Sequence, residues 1–205
     1  MKKWLCLLLC LLMLPVYAVG ESEFDDEALR RMEDFTVFDE PGSANTVIRP
    51  LNQPYQGQVD EPYEGWLVAY VDFVTLPDYG ATLPRVMVSI ETFEPIGADE
   101  MRLTVSGKTY TFAVNGSRSE YDDVYMEDYA VCLSAASLPM MKAIAQQKQD
   151  KPIRVEFLVQ EEAVFVGQVV LPGKEVADMY DTFIDLGGKR QDLTRFDEIW
   201  PCRIV

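Results

Sequence analysis

The sequence predicts an α+β fold, mainly β, in which an antiparallel sheet or β-sandwich carries two amphipathic helices packed on it. Three observations point there. Apolar and polar residues alternate with period two in several stretches beyond residue 65. Two further segments repeat their apolar residues at helical spacing. Finally, 48 % of the 205 residues are hydrophobic, enough for a core and too many for a disordered acidic chain. At this length one domain with a tail is expected.

The chain opens with a leader pattern. Lys2 and Lys3 precede an apolar run from Trp4 to Leu14, Pro15 ends it, and Val16-Tyr17-Ala18 offers small residues where a signal peptidase reads. Residues 1–18 therefore read as a signal peptide, and the product as secreted, extracellular or periplasmic. The run is short for roughly 30 Å of hydrocarbon, and no transmembrane segment is expected in the mature chain. Residues 19–65 read as an acidic, Pro-rich N-terminal arm. Phe24, Leu29, Met32 and Phe35 could form one face of a short helix. Beyond them the prolines at 41, 50, 54 and 62 preclude a long helix or central strand, leaving at most a short strand near Thr46 to Ile48.

Residues 66–205 read as a β-rich globular domain. Trp66 to Val74 is apolar on both alternating faces, and Arg85 to Phe93 sets Val86, Val88 and Ile90 against polar neighbours. Met101, Leu103 and Val105 lead into Ser106-Gly107, after which Tyr110, Phe112 and Val114 alternate. A two-residue turn there pairs 105 with 108, 103 with 110 and 101 with 112, so every large apolar residue shares one face. Ile153 to Val159 and Val164 to Leu171 form a second hairpin about Glu161-Glu162. Ser137 can cap a helix reaching about Lys148, with Pro139 in its first turn. A second helix follows Pro172-Gly173, spaces Val176, Met179, Tyr180 and Phe183 on one side, and stops at Gly187-Gly188. This order in the second half (hairpin, cysteine-bearing strand, helix, hairpin, helix) is similar to that of small exported proteins of the invasion-associated locus B type.

Charge and composition narrow the function. With 34 acidic against 18 basic side chains the net charge is −16, which disfavours nucleic acid as a partner. Removing the leader takes two lysines and no acids with it. No histidine is present, so Ser-His and Cys-His nucleophile pairs and imidazole metal ligands are excluded. The mature chain keeps Cys132 and Cys202, whose spacing matches no metal motif. They are a disulfide candidate; pairing would close a loop of about 70 residues and stabilise by roughly 4 kcal/mol. Two buried thiols is the alternative.

The most unusual stretch runs from Tyr121 to Tyr129. As one strand it projects Tyr121, Asp123, Tyr125, Glu127 and Tyr129 from the same face, a row of rings separated by carboxylates that suits a sugar or a cation. As a helix, Tyr121, Tyr125 and Tyr129 would instead form a core stripe. Asp122, Asp123, Glu127 and Asp128 offer oxygens for calcium, although without an EF-hand pattern. Asn115-Gly116-Ser117 is both a glycosylation sequon and turn chemistry. Trp66 and Trp200 read as core anchors rather than a ligand platform. No cofactor is implied. The expectation is a non-catalytic binding protein meeting a protein or glycan at a bacterial-type cell surface, with no oligomeric state specified. A carboxylate-dependent glycan-acting enzyme and a small extracellular ligand or calcium binder are the alternatives.

Overall fold

The structure, a computed structural model, describes residues 35–39, 44–50, 54–76, 81–147, 149–185 and 193. Among these, twelve strands and two helices form two antiparallel sheets with the helices packed against them, an α+β fold that is mainly β. The larger sheet runs β1 (Phe35–Asp39), β2 (Thr46–Pro50), β5 (Trp66–Leu76), β6 (Ala81–Thr92), β10 (Val124–Cys132), β9 (Ser117–Tyr121), with β3 (Tyr55–Gln56) also paired to β5. The smaller runs β4 (Gln58–Val59), β12 (Glu162–Val169), β11 (Ile153–Val159), β7 (Glu100–Val105), β8 (Lys108–Ala113). Helix α1 covers Leu138–Ala145 and α2 covers Gly173–Asp185.

Alternation explains the layers. On β5, Leu67, Ala69, Val71 and Phe73 face the smaller sheet, joined by Val88 and Ile90 of β6 and Tyr129 of β10, all buried. The smaller sheet answers with Met101, Phe112, Phe157 and Phe165. Tyr129 and Phe157 meet with ring centres 4.6 Å apart, and Phe157 meets Phe165 at 6.1 Å. The opposite face of β5 and β6 is buried as well, through Tyr70, Asp72, Val74, Leu83, Arg85 and Met87. A strand apolar on both faces belongs in such a place.

The Ser106-Gly107 hairpin has the register read from the pattern, with both turn residues at positive φ. The later hairpin turns one residue earlier than expected, at Gln160-Glu161, again with both φ values positive. Helix α1 stops at Ala145, short of Lys148. Ser137 does not cap it through its side chain: its hydroxyl donates to the Cys132 carbonyl and accepts from the Ser134 amide. On α2, Val176, Met179 and Phe183 are buried, whereas Gly187-Gly188 lies outside the described residues.

The proline-rich segment departs most from expectation. Instead of an extended arm with one strand, it supplies β2 to the edge of β5, β3 to β5, and β4 to β12 in the other sheet. The one-residue step at Gly57 lets the chain change sheets. A Cβ there would lie 2.8 Å from the Gln168 carbonyl and 2.9 Å from Leu67, so only glycine fits. Tyr55 lies near Glu175 of α2, and burial together with that carboxylate pushes its pKa up to about 12. Residues 1–18, read from the sequence as a signal peptide, and Cys202 lie outside the described residues; Cys132, the only cysteine among the described residues, is buried at the end of β10. No helix among the described residues is long and apolar enough to cross a membrane.

Candidate functional site

The Tyr121–Tyr129 stretch is neither one strand nor a helix. The chain reverses at Asp122-Asp123, both at positive φ, so that Tyr121 ends β9 and Val124 begins β10. Asn and Asp tolerate that conformation better than other side chains. Directly paired residues of an antiparallel ladder point to the same side. Val124 pairs with Tyr121, so Tyr121 shares a face with Val124 and Met126, opposite to Tyr125, Glu127 and Tyr129. The five residues expected in a single row are divided between two faces and a turn.

Glu127 and Tyr129 point inward and are 1 % and 0 % exposed. The Glu127 carboxylate accepts hydrogen bonds from the Ile96 amide (3.0 Å), the Gly97 amide (2.9 Å), Arg118 Nε (2.7 Å) and the Tyr129 hydroxyl. The Ala98 amide in turn donates to the Tyr129 oxygen at 3.0 Å. Burial alone would raise the Glu127 pKa, but the Tyr129, Gly97 and Arg118 donors outweigh it and hold it below its ordinary value. Burial and the neighbouring carboxylate push the Tyr129 phenol up. This cluster stitches residues 96–98 onto β10. Glu127 is thereby saturated with donors and cannot contact a ligand. Asp128 points the other way and accepts from the Ser89 hydroxyl. The four acids considered for calcium therefore diverge, and no group of acids and cysteines suited to a metal ion occurs among the described residues.

Ile96, held in this way, lines an open cleft of about 460 Å³. Its walls are Pro62-Tyr63-Glu64 before β5, Thr92 to Ile96 after β6, and Val164-Phe165 of β12. Tyr63 is fixed by its hydroxyl donating to the Ala163 carbonyl at 3.2 Å and by ring contact with Phe165 at 6.1 Å. Thr92 donates to the Glu94 carbonyl at 2.8 Å, bending the chain out of β6.

Beside this cleft lies a patch that the sequence did not disclose. Trp66, Phe93 and Tyr121 are 49 %, 54 % and 47 % exposed, and all three gather about Glu91. Trp66 is the direct cross-strand partner of Glu91, and its ring meets Phe93 edge-on at 6.1 Å and 62°. Tyr121 lies close enough to Glu91 that desolvation and that carboxylate raise its pKa. Trp66, read as a core anchor, is thus a surface residue at the end of the sheet. Gly65 places it there: φ is +135° and a Cβ would lie 2.2 Å from the Glu91 carbonyl oxygen. The one available signal was the run Glu91-Thr92-Phe93-Glu94, a large aromatic between acids at the end of an apolar strand. Of the three rings, only Tyr121 belongs to the candidate ligand row read from the sequence, and it lies on the face opposite Tyr125, Glu127 and Tyr129.

Comparison with family models, with curated proteins and with solved structures finds no match for this chain.

Proposed function

We propose that the mature chain is an exported, non-catalytic binding protein that meets a protein or glycan at a bacterial-type cell surface through the end bearing Trp66, Phe93, Tyr121 and the adjoining cleft. The leader pattern of residues 1–18 supports export. The observation that carries the binding role is the clustering of three half-exposed aromatic rings around one carboxylate, beside an open cleft. Large exposed rings are costly in water and gain most when a partner covers them. A glycan-acting enzyme would need a carboxylate free to donate or accept a proton. The two most enclosed acids, Asp72 and Glu127, are instead occupied by Arg85 and by the Ile96 and Gly97 amides with Arg118.

The test is retention of the purified mature chain on intact cells of its source, compared with a variant carrying Trp66→Ala, Phe93→Ala and Tyr121→Ala. The variant should lose retention while its melting temperature changes little, because exposed positions contribute within about 0.5 kcal/mol each. Equal retention of both proteins would refute the reading.

A further inference from the structure

We infer that the occupant of this end face is a basic segment of a protein partner, with a lysine or arginine side chain seated among Trp66, Phe93 and Tyr121 against Glu91; this rests on the binding role proposed above. The ring geometry carries the argument. Sugars stack on a flat ring face, and several parallel rings make a platform for them. Trp66 and Phe93 instead stand at 62° to one another and form a corner. A corner presents a ring face and a ring edge to a compact group, and Glu91, directly paired with Trp66, shares its face of the sheet. An ammonium or guanidinium gains from both the ring face and the carboxylate.

Charge selects in the same direction. The described residues of the patch and cleft include Glu64, Glu91 and Glu94 and no lysine or arginine. They also include no asparagine or glutamine, the planar groups that both donate to and accept from sugar hydroxyls. Carboxylates accept only. The net charge of −16 adds long-range attraction for a basic partner. The cleft continues from Phe93, so that an extended segment can leave its cationic side chain at the corner and lay its neighbours over Tyr63 and Ile96. Elsewhere the fold already uses the same contact: the Arg49 guanidinium lies 3.7 Å over the Tyr70 ring.

The experiment titrates the mature chain with a short acetylated, amidated peptide of alternating lysine and glycine, following heat or tryptophan fluorescence. Parallel titrations use the same peptide with norleucine for lysine, and a neutral chito-oligosaccharide. The lysine peptide should bind roughly tenfold more tightly than the norleucine peptide. That preference should fade toward about 0.5 M salt. Glu91→Gln and Trp66→Leu should each weaken lysine binding about three- to tenfold, and Trp66→Tyr should restore most of it. Equal affinity for lysine and norleucine peptides, or binding of the oligosaccharide in place of the peptide, overturns the inference. If the triple alanine variant loses cell retention yet lysine peptide fails to bind, the ligand class is wrong and the site stands. If retention is unaffected as well, the site itself is wrong.

Discussion

Alanine at the buried Glu127 would remove the acceptor shared by the Ile96 and Gly97 amides, Arg118 and the fully enclosed Tyr129 hydroxyl. Buried donors without an acceptor are more costly than the lost bonds themselves, so Glu127→Ala should destabilise by about 3 kcal/mol. Glu127→Gln keeps the shape and part of the bonding, and should cost less. The carboxyl is held below its ordinary pKa of 4.5. Its contribution is therefore fully present above about pH 4.5 and is lost as the pH falls through the lowered folded-state value. Thermal melts across that range should show a smaller fall on acidification in Glu127→Gln than in the unmodified protein; an identical fall would contradict the assignment. Glu127 and Tyr129 were visible in the sequence as chemistry-bearing residues. Their inward direction was not. It depends on a reversal at Asp122-Asp123, and two consecutive aspartates in a polar run fit a strand's solvent face as readily as a turn.

At the scale of elements, the two hairpins with one apolar face, turning at Ser106-Gly107 and at Gln160-Glu161, were legible, because register and face follow from the same alternation. The β5–β6 pair was legible only as two apolar strands. It also carries an ion pair no periodicity reveals: Arg85 Nε donates to Asp72 Oδ1 at 2.6 Å between directly opposed residues, with Arg49 3.6 Å away. Burial lifts the Asp72 pKa, and Arg85 and Arg49 pull it the other way. Arg85→Met should therefore cost about 3–5 kcal/mol, leaving Asp72 enclosed without its main partner. Adding Asp72→Val to Arg85→Met should recover most of that loss, since a buried pair can often be exchanged for apolar side chains at little net cost. Urea unfolding of both variants checks this. A double variant no more stable than the single one would mean that the pair contributes more than mutual neutralisation.

For the molecule as a whole, the proline-rich segment decides how much chain the fold needs. Prolines at 41, 50, 54 and 62 correctly forbid a long element. They do not forbid short strands at the edges of sheets, where a missing amide is tolerated and pairing partners come from distant sequence. Local pattern cannot show such pairing. Val47 and Ile48 of β2 are 1 % and 3 % exposed against β5, and β3 and β4 together bridge the two sheets. Burying two such aliphatic side chains contributes about 1.5–3 kcal/mol each, against a typical total stability of about 5–15 kcal/mol. Removing residues before Glu61 also uncovers the edges of β5 and β12 and detaches Tyr55 from Glu175. A chain beginning at Glu61 should accordingly lose its cooperative thermal transition, whereas one beginning at Glu21 should keep it. Circular dichroism melts of the two decide the matter. If the shorter chain unfolds cooperatively at the temperature of the longer one, β2, β3 and β4 are ornaments on an independent sandwich, not part of it.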